Sequence, residues 1–181
     1  MRDNRRGMAT TRLRLPAHPV PAAALQVARR AKLRINGLVA RPLELTQANM
    51  LRLPRAALEE PFVCEEGWSV PGLRWGGVRL TDILALAQPV PNATYVRAGS
   101  GSWVVPIQLA DAGRILVCDE LNEAPLSVEH GAPWRLVPSG GPCFANVKWL
   151  EYVELTAEPG ENNAERIARS RLAELHQIHA D

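Results

Sequence analysis

The sequence predicts an α+β protein in which a mixed β-sheet domain carries short helices. Short apolar runs bounded by Gly, Pro, Asn or Ser recur through the middle of the chain, as in a sheet of short strands. Helical periodicity is confined to a few short segments and one longer segment near the C-terminus. With 181 residues, of which 46% are hydrophobic, the chain is long enough for one domain with a sizeable core.

The predicted strands alternate with turns rather than with long helices. Pro71, Gly72 and the pair Gly76-Gly77 predict a turn over residues 71–77. Small residues likewise predict loops at 99–102 and 139–146. The segments predicted as strands are 33–39, the start of 61–69, 93–99, 103–107, 114–121, 132–138 and 147–155.

Four helices are predicted, and two of them carry a recognisable cap. Thr46 is expected to cap a helix through about Leu51, and Asn163 is expected to cap an amphipathic helix over 163–179. The other two are expected at 22–31 and, from Thr81, within 78–87. The apolar stripe of the last helix comprises Ala164, Ile167, Ala168, Leu172, Leu175 and Ile178.

Charge divides the chain into a basic arm and an acidic body. Residues 1–34 hold nine of the 21 basic side chains and one acid, so the remainder holds 12 basic and 18 acidic side chains. This distribution argues against a nucleic-acid partner. We expect a basic arm at 1–32, a domain at 33–158 and a helix packed on it at 159–181.

Targeting features predict a cytoplasmic protein without a membrane span. No apolar run approaches the roughly 20 residues that a spanning helix needs. The Arg5-Arg6 pair is not followed by the apolar region of an export signal. In a reducing compartment the three cysteines, Cys64, Cys118 and Cys143, are expected to be free thiols.

Cys64 is the first candidate for chemistry. It lies where an apolar strand meets a polar loop and precedes Glu65 and Glu66. It is either a buried small side chain, a nucleophile or a soft metal ligand. The adjacent acids disfavour a nucleophilic thiolate, which needs positive neighbours. There is no CxxC or HExxH motif, and the pair His176 and His179 is interpreted as part of a solvated helix face.

A second candidate site lies between residues 130 and 148. His130, Arg135, Asn146 and Lys148 place several hydrogen-bond donors around a Gly-Gly loop, as an anionic phosphate requires. The alternative is that Arg135 and Lys148 are ordinary charges on strand surfaces. The sequence GSGS at 99–102 lacks the spacing of a phosphate-binding loop.

Four motifs, in order and with natural spacing, resemble the molybdopterin-binding domain of the sulfite oxidase family. They are VCEEGWS (63–69), LRWGGVRLTDIL (73–84), ELNEAPLSVEHGAPWRLVPS (120–139) and NVKWLEYVEL (146–155). LRINGLVARPLELT (33–46) is similar to that domain's opening strand and turn, and HPVP (18–21) to its N-terminal segment. The resemblance covers roughly residues 33–155 and implies the sulfite-oxidase-type molybdopterin-binding fold.

The resemblance also implies roles for single residues. Cys64 matches the thiolate that binds molybdenum (Mo) beside the dithiolene sulfurs of the pterin. Trp68 and Ser69 match the wall beside that cysteine, and Ser100 and Ser102 match the loop that approaches the pterin. The positions that match contacts to the pterin and its phosphate are His130, Arg135, Asn146 and Lys148, with His18 as an addition across an alignment gap.

The implied function is a molybdopterin-dependent oxidoreductase that passes an oxygen atom to or from a small-molecule substrate while molybdenum cycles between Mo(VI) and Mo(IV). Because the sequence carries no haem motif, we expect a separate electron-transfer partner. The chain departs from the family at Ser100–Trp103, which replace an Asp-Gly-Tyr-like loop, and after Tyr152, where no aromatic residue follows. The missing substrate-pocket aromatics support the alternative of a non-catalytic module that binds the pterin or a protein. A cysteine hydrolase is disfavoured by the acids beside Cys64.

Overall fold

A computed structural model describes residues 15–17 and 19–178 of the chain. Residues 1–14 of the predicted basic arm, together with His18 and His179, lie outside the described residues. None of the helices within the described ranges is long and apolar enough to cross a membrane.

The first sheet is a five-stranded mixed sheet. Its central strand comes from the late part of the chain and runs parallel to the first strand, whereas its other pairings are antiparallel. In spatial order it contains β2 (Leu43–Thr46), β1 (Lys32–Gly37), β10 (Tyr152–Thr156), β5 (Tyr95–Ser100) and β6 (Trp103–Gln108).

The second sheet is antiparallel and is built on one long hairpin. The hairpin ends at the connection that carries Cys64. The sheet contains β3 (Arg55–Val63), β4 (Ser69–Arg79), β7 (Ile115–Leu121) and β8 (Ala124–Pro125), with β9 (Arg135–Pro138) paired to β7.

The predicted turn at 71–77 is wrong, because these residues lie inside β4. The glycines there serve close strand packing: a Cβ on Gly77 would lie 2.1 Å from the Val117 carbonyl oxygen. The register between β4 and β7 shifts between Gly76 and Gly77. A glycine pair can therefore mark an irregular strand rather than a turn.

The strand predicted at 147–155 is shorter in the structure. It begins at Tyr152, and Trp149 has a φ of +54°, which breaks the extended chain just after Lys148. In contrast, β3 begins at Arg55, well before the predicted start at Pro61. The proline lies where the pairing between β3 and β4 is irregular, between Glu60 and Phe62.

All four predicted helices are present: α1 (Ala22–Arg30), α2 (Gln47–Met50), α3 (Leu80–Ala87) and α4 (Asn163–Ile178). Thr46 caps α2 as expected, accepting a hydrogen bond from the Asn49 N–H. The cap of α4 is Asn162 rather than Asn163, because Asn162 Oδ1 accepts the Glu165 N–H at 3.1 Å. The prediction placed the cap one residue too late.

The main core surrounds α3, which lies against β1, β4 and β7. Leu80, Ile83 and Ala87 are completely buried. A smaller core centres on Leu73 and Trp75 of β4. Because these cores fix both sheets, the strand ends that carry the candidate site residues are held in place.

Candidate functional site

A cavity of about 490 Å³ opens where the β3–β4 connection, the β5–β6 turn, residues 135–149 and α4 meet. Its volume is in the range of cofactor and ligand pockets. The structure brings seven of the predicted site residues together around it: Cys64, Trp68, Ser100, Ser102, Arg135, Asn146 and Lys148.

Cys64 is held by a tight turn at the end of the long hairpin. Its N–H donates to the Trp68 carbonyl at 2.9 Å, and the Gly67 N–H donates to the Cys64 carbonyl at 3.0 Å. Gly67 has a φ of +90°, a conformation that favours glycine. Trp68 stacks on Phe62 with ring centroids 5.7 Å apart, which forms an aromatic wall beside the thiol.

Arg135 is the most deeply buried charge of the site, with a relative exposure of 2%. Its guanidinium lies 4.7 Å from the Trp75 ring centroid, and Nε donates to Asn146 Oδ1 at 3.1 Å. Burial lowers the pKa of Arg135 to about 10. No carboxylate pairs with it among the described residues, so this charge lacks the counter-ion that burial normally requires.

Lys148 adds a second positive charge to the same cavity. Its Nζ donates to the Glu129 carbonyl at 2.8 Å. Burial first, and then the charge of Arg135, lower the pKa of Lys148 to about 8. It too lacks a carboxylate partner within 15–17 and 19–178. The buried Arg135 and the half-buried Lys148, neither paired with a carboxylate among the described residues, make the cavity attractive to an anion.

The β5–β6 turn, which carries Ser100 and Ser102, is held by hydrogen bonds to one carboxylate. Glu151 Oε2 accepts the Gly101 N–H at 2.8 Å and the Ser100 hydroxyl at 3.4 Å. The Trp103 indole N–H donates to the Asn146 carbonyl at 3.0 Å. The β5–β6 turn and the residues before Lys148 are therefore joined at the cavity.

Three predicted residues do not line the cavity as described. Ser69 is exposed at the start of β4, and His18 lies outside the described residues. His130 lies beside the cavity, where its carbonyl accepts from Arg135 Nη1 at 3.3 Å. Its Nδ1 is buried and has no hydrogen-bond partner within the described ranges, and burial together with the charge of Lys148 lowers the pKa of His130. Their roles stay predictions.

Sequence reasoning missed Cys143, which it treated only as a free thiol. The Cys143 thiol donates to Glu65 Oε2 at 2.5 Å, and its Sγ lies 3.5 Å from Cys64 Sγ. Burial and this hydrogen bond raise the pKa of Cys143. The 139–146 loop was predicted to return the chain to Lys148, and that return path would have placed Cys143 near the same site.

Helix α4 was also missed as part of the site. Ile167, Ala168, Arg171 and Leu172 line the cavity, and the Arg171 guanidinium lies 5.7 Å from the Trp103 ring centroid. Ile167, Ala168 and Leu172 belong to the predicted apolar stripe, and the same face of the helix packs against β6.

These residues fit an anionic cofactor that carries a soft metal. Cys64 offers a thiolate-forming side chain at the cavity wall. The buried Arg135 and the half-buried Lys148 supply the positive charge that a phosphate requires, and His130 Nδ1, which has no partner in the described part of the chain, lies nearby as a further polar atom. The aromatic wall of Phe62 and Trp68 offers flat apolar surface.

A comparison with protein families matches residues 17–164 to the family described as "Oxidoreductase molybdopterin binding domain". The chain belongs to this family. This match and the relatives below confirm three predictions: the resemblance to the molybdopterin-binding domain of the sulfite oxidase family, the fold class, and the cofactor, molybdopterin with molybdenum.

The relatives of this molybdopterin-binding domain are oxidoreductases. It is 33% identical over 130 residues to the "Uncharacterized oxidoreductase YuiH" of Bacillus subtilis, which covers 70% of this chain and 65% of that protein. It is 27% identical over 157 residues to a nitrate reductase [NADPH] of Fusarium oxysporum, covering 71% of this chain and 17% of that enzyme. It is 30% identical over 107 residues to the mitochondrial sulfite oxidase of Drosophila melanogaster, covering 52% and 19%.

Among solved structures, the sulfane dehydrogenase SoxCD of Paracoccus pantotrophus matches with a TM-score of 0.68 and 25% identity. The match covers 72% of this chain and 39% of that chain. The domain thus spans less than two thirds of these relatives. The family match and these relatives together establish that the chain is a member of the molybdenum oxidoreductase family.

Proposed function

We propose that the domain catalyses oxygen-atom transfer to or from a small substrate at a molybdenum centre ligated by Cys64. The observation that carries this proposal is one cavity lined by the Cys64 thiol, the buried Arg135 and the half-buried Lys148, whose two charges have no carboxylate partner among the described residues. The relatives named nitrate reductase and sulfite oxidase support it. When bound, the cofactor supplies the two-electron redox change that such a transfer needs.

The chain's own residues have distinct tasks in this proposal. Cys64 holds the metal, while Arg135 and Lys148 neutralise the phosphate of the pterin. Asn146 orients Arg135 through the 3.1 Å hydrogen bond to Nε. Phe62, Trp68 and helix α4 limit access of water to the centre. A separate protein partner accepts or supplies the electrons, depending on the direction of oxygen transfer.

Metal content of cysteine variants tests the ligand. The protein is purified from a host that makes molybdopterin, and molybdenum and pterin are measured per chain. We expect Cys64→Ser to lower molybdenum content at least tenfold, because a hydroxyl replaces the soft thiolate. Cys143→Ser, in the same cavity, retains the metal. Cys118→Ala, at a fully buried position of β7, reports on folding alone.

The ligand assignment is wrong if Cys64→Ser keeps its molybdenum while its circular dichroism matches that of the wild type. It is also wrong if Cys143→Ser alone loses the metal. Loss of metal in the Cys118→Ala variant as well would mean that metal content follows fold stability and not the ligand.

Isotope labelling tests the reaction type. The loaded protein is mixed with sulfite and an electron acceptor in ¹⁸O-labelled water, or with nitrate and an electron donor. We expect either labelled sulfate, since the added oxygen comes from water, or nitrite with release of water. A fully loaded protein whose molybdenum neither donors nor acceptors can cycle would instead indicate a pterin-binding module without turnover.

A further inference from the structure

We propose that Cys64 and Cys143 form a reversible disulfide, which withdraws the Cys64 thiolate from the cofactor site. The inference rests on the proposed function for its consequence, because Cys64 is the proposed metal ligand. The disulfide itself depends only on the two cysteines and their surroundings.

The two sulfur atoms are already close across the cavity. Sγ of Cys143 lies 3.5 Å from Sγ of Cys64, and a disulfide requires about 2.0 Å. Both side chains line the cavity and are half-buried, so a small oxidant has access to them. Cys118 is fully buried in β7, where its thiol contacts the Leu116 carbonyl.

The backbone around Cys143 allows the remaining approach. Cys143 lies in a short turn of 3-10 helix, Cys143–Ala145, that follows Gly140 and Gly141. The same loop is tied to β3, because the Ser139 hydroxyl and the Gly140 N–H both donate to the Glu60 carboxylate. The loop is thus held over Cys64, while its glycines permit a movement of about 1.5 Å.

The reaction is a two-step thiol–disulfide exchange with a small disulfide such as oxidised glutathione. One cysteine thiolate attacks a glutathione sulfur, the glutathione S–S bond breaks, and one glutathione thiol leaves. The second cysteine thiolate attacks the mixed disulfide, and the second glutathione thiol leaves. Both cysteines have then lost their protons and together two electrons, which reduce the oxidant.

The consequence concerns cofactor loading. A sulfur in a disulfide bears no thiolate lone pair suited to a metal bond. Oxidation of a chain that lacks the cofactor therefore blocks ligation by Cys64, and reduction restores it. In a loaded chain the Cys64 sulfur would be bound to the metal. Cys64 therefore cannot bind the metal and form the disulfide at the same time.

Peptide mapping tests the disulfide directly. The protein is produced in a host that cannot make molybdopterin, treated with oxidised glutathione, alkylated without reduction and digested with trypsin. Complete digestion places the three cysteines on separate peptides: 56–74 with Cys64, 115–135 with Cys118 and 136–148 with Cys143. We expect peptides 56–74 and 136–148 to be joined, with a mass loss of 2 Da per chain.

Matched variants separate the pair from general oxidation. Cys118→Ala should form the same cross-link, whereas Cys143→Ser should leave Cys64 glutathionylated or alkylated. If, in the folded wild type, Cys64 and Cys143 each carry glutathione or alkyl groups and no cross-link forms, the proposal is overturned. A cross-link that involves Cys118 overturns it too.

A loading experiment separates the two proposals. Oxidised and reduced protein are each incubated with the extracted cofactor, and bound molybdenum is measured. Reduced protein should bind at least tenfold more, and dithiothreitol should rescue the oxidised sample. Equal loading in both states overturns the blocking effect. A cross-linked chain that binds no molybdenum in either state overturns the proposed function but leaves the disulfide standing.

Discussion

Lys148 shows how a single residue links the site to stability. The chain has only two lysines, and they differ sharply in environment: Lys32 is exposed and paired with Glu44, whereas Lys148 lines the cavity without a carboxylate partner among the described residues. Burial lowers the pKa of Lys148 to about 8 from 10.5. Keeping its charge in the fold therefore costs stability until an anion binds.

The pH dependence of unfolding follows from this shift. Between pH 8 and 10 the unfolded chain binds more protons at Lys148 than the folded chain does, so folding gains stability as the pH rises. In the cofactor-free protein, we expect the unfolding free energy of wild type minus that of Lys148→Met to increase over this range by about 1 kcal/mol, roughly half of what the full pKa shift would give, because solvent screens the half-exposed ammonium group. Urea denaturation at several pH values measures it.

Lys32→Met is the matched control for this experiment. Because the exposed Lys32 lies outside the cavity, its replacement should remove none of the pH-dependent gain. A slope that is the same in wild type and Lys148→Met would show that the folded protein does not lower the pKa of Lys148. Bound cofactor should abolish the gain by stabilising the charged form.

At the scale of the element, the start of α4 offers a clean comparison. The Asn162 side chain accepts the Glu165 N–H and also donates to the Glu165 carboxylate at 3.1 Å. This reciprocal pair caps the helix that closes the cavity. Asn163 is the first helical residue.

We expect Asn162→Ala to lower the free energy of unfolding by about 1 kcal/mol, since it removes the cap. Asn163→Ala should change it by a few tenths of that amount, because alanine is favourable inside a helix. Chemical denaturation of both variants measures the difference. Equal losses in the two variants would contradict the assignment of Asn162 as the cap.

The elements also show what the sequence could predict. All four helices follow from periodicity and caps, because these are local properties. The hairpin of β3 and β4 could not be predicted in this way, because Pro61, Pro71 and Gly76-Gly77 are residues typical of turns. Only the close approach of β7 at Gly77 explains why glycine stands in a strand. That contact joins residues 40 positions apart and leaves no local pattern.

The candidate site also depends on tertiary contacts that leave no local pattern in the sequence. The family resemblance indicated seven residues that line the cavity, and five of them lie within the four motifs. Cys143 and Arg171 lie outside those motifs, and their positions depend on how a loop and a terminal helix pack across the sheets. Such packing is a tertiary property that single-sequence spacing does not encode.

At the scale of the whole molecule, cofactor binding should stabilise α4, because the helix forms one wall of the cavity. Arg169 and Arg171 are exposed sites for trypsin on this helix. In limited proteolysis followed by mass spectrometry, we expect cleavage at these sites to slow at least fivefold in the loaded protein. This corresponds to about 1 kcal/mol against local opening.

Cleavage after Arg52 provides the internal control. Arg52 is exposed, follows α2 and does not line the cavity, so its cleavage rate should be the same with and without cofactor. Equal protection at Arg52 and in α4 would indicate global stabilisation, and no protection at α4 would contradict its position over the bound cofactor.

The central place of β10 in the first sheet bears on how the chain matures. The strand lies between β1 and β5, and its register with β1 joins Arg34 to Tyr152. During synthesis this sheet cannot close until residue 156 has left the ribosome, because its middle strand is made last. Until then, β1 and β5 each have an unpaired edge, and pairing with a strand so distant in sequence slows folding. The cavity between the sheets and α4 is therefore complete only after both β10 and α4 have been synthesised.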